Sequence, residues 1–486
     1  MAWTLGSSSA SETLTDNDSF YPAHINELRI GLDASVREIV NVKDYGALGD
    51  GITDDITSIQ TAMNVGGYIY FPAGTYLVSD KVKYVSNSYI TGAGRGKTII
   101  KLKNGTNPVG LGFLFQHNGV GGVPASGEYS ENVLIEHLSI DGNKANNTGI
   151  VSGITVSGTR NGALNDVEAY NCSEVGIVIS STFASDNINH GFNIGSNCYS
   201  YNNDADGIQL AAGILVGCRS YDNTGGGIRV VATYATLTKQ PYAVISACSA
   251  FRNTSHGIYA DSQSGLDQFP AIVTGCSSFY NTQDGIAWVL EQGVISNNLV
   301  SHNGEAGIRV SKDSITVTNN IVKNNGRVGA TYTDGIKIQG DRLYLNITGN
   351  RVYDDQSVKT QLYGISEAAS SPTTGNTNII ANNILTGNST GALTTGLISR
   401  NLTYRVTNNV GYNPVGLSAI TVGASPYTYT AGISPETIYI SAGTVSAVVK
   451  GGVTMFVATG CTISLLSGEA VVVTYSSIPT MIKDIS

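Results

Sequence analysis

The chain has 486 residues, of which 58 are glycine and 13% are charged, with 26 tyrosines against 10 phenylalanines and 2 tryptophans. That composition excludes helical bundles, coiled coils and spanning helices, and a 41% hydrophobic content spread along the chain excludes disorder. A net charge of −9 without a basic run leaves no footprint for nucleic acid or an anionic membrane.

Met1–Ala10 has neither the basic start nor the apolar core of a signal peptide, which predicts cytoplasmic synthesis without one. Behind a Ser/Thr/Asp-rich leader, Ile25, Leu28, Leu32, Val36 and Ile39 fall at spacings of three or four. Residues 1–39 therefore read as an amphipathic leader helix that needs a partner surface, either a trimeric stub or a docking peptide. In 51–65, Asp and Thr precede Ile56, Ile59 and Met63 at the same spacing, which predicts a short helix covering a strand edge that would otherwise lie open.

From there the chain repeats. A glycine followed by a bulky apolar residue recurs at 176, 191, 207, 227, 257, 285, 307, 335 and 364, about 23.5 residues apart on average. Cys198, Cys218, Cys248 and Cys276 each precede an asparagine by five residues. The cysteine slot later becomes Asn298, Asn320, Asn350 and Asn383, followed five on by Asn303, Asn325, Asp355 and Asn388. β-Branched runs such as 315–322 end in Asn or Gly turns, so each unit is strand plus turn. Turns this short cannot hold crossover helices, and the fold that satisfies them is an all-β parallel β-helix of about thirteen rungs stacked about 4.8 Å apart. It spans 40–414 with its capping helix. The fixed asparagines are expected to form hydrogen-bonded ladders, and the six cysteines, without a CxxC pair, to be free buried thiols. Residues 415–486 read as five or six short strands, a small C-terminal β-sandwich that caps or trimerises the solenoid.

The strings VNVKDYGALGDGITDDITSIQTAM (40–63), GYIYFPAGTYLVS (67–79) and ITGAGRGKTIIKL (90–102) resemble the opening of the right-handed β-helix proteins of the pectate lyase superfamily. That resemblance implies a right-handed, pectin-lyase-like solenoid acting on carbohydrate. The family includes rhamnogalacturonase-like and polygalacturonase-like hydrolases, pectate lyases, alginate epimerases and bacteriophage tailspikes, and the layout of this chain is most similar to the tailspikes. It implies a homotrimer attached to a virion baseplate or tail through its N-terminus, hence a virion or extracellular location. No catalytic set carries across. Where epimerases have Gly-Phe-Asp-Pro-His, this chain has Gly176-Ile177-Val178-Ile179-Ser180, and the hydrolase motifs survive only as fragments at 206–208, 256–258, 284–286 and 333–337.

A site can be built from the rungs themselves. If the apolar residue after each glycine points inward, the next points outward, giving a column of Gln209, Arg229, Tyr259, Ala287, Arg309 and Lys337. Arginine forks suit uronate or sialate carboxylates, and tyrosine stacks on sugar rings. Immediately before the glycines stand Asp206, Gly226, His256, Asp284, Ala306, Asp334 and Tyr363. Asp284 and Asp334 would lie two rungs, about 9.6 Å, apart, near the separation used by inverting glycosidases. One would protonate the leaving oxygen and the other activate water, with His256 one rung below to orient or protonate Asp284. Insertions at 232–243 and 261–269 follow Arg229 and Tyr259 and add Lys239, Tyr242, Asp261 and Asp267 as secondary candidates. No metal spacing occurs and no cofactor is required, although acidic turns such as 203–206 allow Ca²⁺. Three activities stay open: a tailspike hydrolysing a bacterial surface polysaccharide, a lyase using Tyr259 or His256 as base, and a spike that holds glycan without cutting it.

Overall fold

A computed structural model describes residues 39–108, 112–117, 130–157, 159–180, 193–232, 242–262, 268–329, 333–368, 378–394, 397, 404–412, 416–432 and 435–485. The expected leader helix, Gly191, Lys239 and Asp267 lie outside them.

Three parallel sheets of 14, 13 and 12 strands run the length of the solenoid, each strand pairing with its equivalent one coil on. One coil comprises Ala243–Ser246 in the first sheet, Ser249–Phe251 in the second and Ile258–Ser262 in the third. Ala247 and Arg252 make the intervening corners with φ of 52° and 54°. Other coils place Gly217, Gly275, Asn202 or Asn297 at such corners, the residue types that tolerate left-handed backbone best.

The inward residues close a single core. Ile228, Ile258, Ile286, Ile308, Ile336 and Ile365 are stacked and fully buried, each contributing roughly 1.5–3 kcal/mol of transfer free energy. The repeating glycine is explained by crowding. A Cβ on Gly257 would sit 2.0 Å from Ser278 Oγ and 2.5 Å from Asn281 Nδ2, so the coil above excludes any side chain there.

Gly176 and Gly207 are adjacent coils, because Ile177 pairs directly with Ile208. The stretch from 176 to 364 therefore spans seven coils rather than eight.

Both asparagine ladders exist. In one, Nδ2 of Asn203, Asn223, Asn253, Asn281 and Asn303 each donates to Oδ1 of the next asparagine at 2.9–3.0 Å. The top of that ladder differs from expectation. Asn325 donates to Gln361, not Asp355, because residues 354–360 form an extra turn, and Gln361 passes the chain on to Asn388. The other ladder runs Asn298, Asn320, Asn350, Asn383, Asn409 above the stacked Cys198, Cys218, Cys248 and Cys276. Cys172 occupies the first ladder instead, its N–H donating to Asn203 Oδ1 at 3.0 Å.

Helix Ile56–Val65 buries Ile59, Ala62 and Met63 against the first coils. Among its described residues the C-terminal segment has eight strands, more than expected, in two four-stranded antiparallel sheets that share a core including Ile438, Ile463, Val448 and Val473. The strands not foreseen are Gly416–Ile420, Tyr427–Thr430 and Thr480–Ile485, whose polar and charged alternate residues dilute the hydrophobic run.

Candidate functional site

The outward column of the third sheet stands as the register requires. Gln209, Arg229, Tyr259, Ala287, Arg309 and Lys337 pair consecutively, and Ser366 extends them by one coil. The residues before the glycines form the neighbouring column at the turn, as the bonds from Gly257 N–H to Asp284 O and from Gly307 N–H to Asp334 O show.

Asp206, Asp284 and Asp334 share one arrangement. Oδ1 of each accepts the backbone N–H one coil up, from Gly226 at 2.8 Å, Ala306 at 3.0 Å and Tyr363 at 3.1 Å. Oδ2 of each takes side-chain donors. For Asp206 these are Gln209 at 3.0 Å and Arg229 at 3.4 Å. For Asp284 they are Arg309 Nε at 2.6 Å and, when its ring is protonated, His256 Nδ1 at 3.3 Å. For Asp334 they are Lys337 at 3.1 Å and the Ser366 hydroxyl. All three carboxylates are buried, Asp284 completely. His256 Nδ1 also receives the Asp284 N–H at 3.3 Å, which in the neutral ring leaves the proton on Nε2.

Arg229 is gripped from the other side. Asp261 takes its Nε at 3.1 Å and its second terminal nitrogen at 2.9 Å, a two-point fork. The same guanidinium lies 5.1 Å over the Tyr259 ring, whose hydroxyl is 3.3 Å from Asp261. Burial, then the Asp261 charge, pushes the Tyr259 phenol well above its ordinary value, which opposes a role as base. Tyr242 is half-buried, its carbonyl accepting the Gly213 N–H.

One acid escaped the sequence reading. Glu305 sits beside Ala306, in the slot held below by Ala205, Gly225, Ser255 and Gln283. It is half-buried, and its carboxylate has no hydrogen bond or ion pair among the described residues. Burial first, then the Asp284 charge, raises its pKa. As the one carboxylate in a slot otherwise small or neutral, it was detectable by aligning the units.

In the acidic turn 203–206, Asp204 is paired with Lys144 at 2.7 Å and Asp206 with Gln209 and Arg229. No group of three metal-ligating side chains occurs among the described residues. No helix among them is long and apolar enough to cross a membrane. A second polar cluster lies on the first sheet: buried Glu136 meets Tyr89 and His137, and Asp166 joins His137 at 2.9 Å to Arg95 at 2.6 Å.

A family model described as rhamnogalacturonase A/epimerase, pectate lyase-like, matches residues 39–229, and one described as right handed beta helix region matches 236–342. The chain folds as a right-handed parallel β-helix whose residues 39–229 are pectate lyase-like in sequence. Mannuronan C5-epimerase AlgE5 of Azotobacter vinelandii is 40% identical to this β-helix protein over 125 residues, 23% of the chain and 12% of the epimerase. The pre-neck appendage protein of Bacillus phage phi29 is 33% identical over 148 residues, 29% of the chain and 16% of the phage protein. The β-helix protein thus spans well under a quarter of the length of either relative. Among solved structures, the A-module of mannuronan C-5 epimerase AlgE6 of Azotobacter vinelandii superposes on 77% of the chain and 99% of its own length, with a TM-score of 0.61 and 22% identity. That likeness establishes a common fold.

Proposed function

We propose that this β-helix protein is the glycan-binding solenoid of a phage-type tailspike, holding a bacterial surface polysaccharide along the third sheet from Asp206 and Gln209 to Lys337. The observation that carries this reading is the register. Six successive coils bring polar side chains into one lengthwise strip, the shape a linear polymer needs, and a mesh of side-chain bonds holds them in place. The similarity to a phage appendage protein supports the tail setting. In this reading residues 1–39 join the chain to the virion, and the C-terminal sandwich helps three copies associate. Binding of purified protein to a panel of capsular and cell-wall polysaccharides tests it. Tyr259→Ala should lose the bound polymer, and undiminished binding by that variant overturns the site.

Hydrolysis by Asp284 and Asp334, with His256 beside the first, is a second reading favoured by their two-coil separation, about 9.6 Å between backbones. Their burial and full complement of donors oppose it, since a general acid must present a proton to substrate. Release of reducing ends from a bound polymer, abolished in Asp284→Asn and Asp334→Asn with folding intact, would establish it. Full activity in both variants excludes it.

A further inference from the structure

We infer that the groove on the third sheet is built for an uncharged glycan and discriminates against uronates. The inference rests on the reading that this strip holds a glycan, and it names the class of sugar.

Recognition of a uronate needs a cation whose donors are still available. Along this strip each described cation already has a carboxylate partner within the protein. One edge of the Arg229 guanidinium, Nε and a terminal nitrogen, is held by Asp261, and the other terminal nitrogen is 3.4 Å from Asp206. Arg309 spends Nε on Asp284, and NH1 on Ser311 at 3.3 Å and Gln339 at 3.0 Å. Lys337 is paired with Asp334. These side chains are 12–18% exposed, so turning one outward would strand a buried carboxylate.

The charge balance points the same way. Three cations, Arg229, Arg309 and Lys337, face Asp206, Asp261, Asp284, Asp334 and Glu305. With His256 neutral, the described part of the strip carries a net negative charge. A sugar carboxylate would add like charge beside Glu305, which has no cation of its own among the described residues. What the strip does offer is suited to hydroxyls: the part-exposed carboxylates of Asp261 and Glu305, which accept from sugar O–H groups, and the part-exposed ring of Tyr259. β-Elimination is disfavoured by the same pairing, because among the described residues no free cation neutralises the acid group of the substrate.

The test compares wild-type protein on dextran, a neutral galactan and an N-acetylhexosamine polymer with polymannuronate and polygalacturonate, by affinity electrophoresis at low and physiological salt. The expected result is retention by a neutral polymer that falls about tenfold or more in Tyr259→Ala, with no uronan retention at either salt. Asp261→Asn, which frees Arg229, should gain salt-sensitive uronan binding. Wild-type binding of a uronan about tenfold tighter than any neutral polymer, lost in Tyr259→Ala, overturns the inference while leaving the glycan reading intact. Failure to bind any of the five polymers counts against the glycan reading itself. The wild-type comparison decides the matter even if the Asp261 variant does not fold.

Discussion

Arg309 Nε stands 2.6 Å from Oδ2 of Asp284, a carboxylate with no exposed surface. Pairs of this kind are expensive to break from one side, because the survivor is left charged and enclosed.

Arg309→Met should therefore destabilise the protein by roughly 3–5 kcal/mol, and the double variant with Asp284→Asn by much less. Chemical denaturation of the wild type, both single variants and the double variant measures this. Additive effects would show that the two side chains do not depend on each other.

Glu305 gives a pH signature of opposite sign to an ion-paired acid. Its pKa is higher folded than unfolded, so the folded state holds the proton more tightly and loses relative stability as pH rises through and above the ordinary value of 4.5. Glu305→Gln should thus match wild type in acid and melt higher at neutral pH. A gap that closes or reverses between those conditions contradicts the assignment.

Asn253 donates to Asn281 Oδ1 at 2.9 Å and to Ser220 O at 3.2 Å, and its Oδ1 accepts from Asn223. Asn253→Leu fits the volume but orphans groups on both neighbouring coils. A loss of roughly 3 kcal/mol or more is expected, about one to three for each stranded polar group. The denaturation midpoint reports it, and glycan binding by the folded fraction should be unchanged.

The Cys172, Cys198 and Cys248 thiols should be inert while the protein is folded. Burial pushes Cys172 up to about 12 and holds Cys198 and Cys248 well above the ordinary value. Iodoacetamide at mildly alkaline pH should label them only after denaturation, as read by intact mass. Rapid labelling of the native protein would mean that the core opens locally.

Much of the solenoid is legible in the sequence because parallel, in-register stacking makes equal position in the repeat mean equal position in space. The columns holding Arg229, Arg309 and Lys337, and Asp206, Asp284 and Asp334, follow from that rule alone. So does an aromatic stack that the repeat pattern contains without announcing. Tyr201, Tyr221, Phe251 and Phe279 stand three residues after successive cysteines and, with Tyr170, stack with ring centres 4.9–5.0 Å apart. The rule fails where coil length changes. Ile177 pairs directly with Ile208 although a glycine marker stands between them in the sequence, and Asp355 yields its ladder position to Gln361 because extra residues intervene. It is also silent on pairing. That Asp261 would capture Arg229 depends on side-chain reach between neighbouring coils, which a one-dimensional pattern does not encode.

The crowding that forces glycine at 207, 227, 257, 285, 307, 335 and 364 also makes each winding an interchangeable module. Because every layer meets its neighbours through closely similar contacts at that glycine, the insertion of a complete winding between Gly285 and Gly307 would leave both junctions intact. It would carry Arg309 and Lys337 about 4.8 Å farther from Tyr259. Deleting one would draw them closer by the same step. Reach along a bound polymer is thereby adjustable in fixed increments, by gain or loss of whole turns, without redesign of the interior.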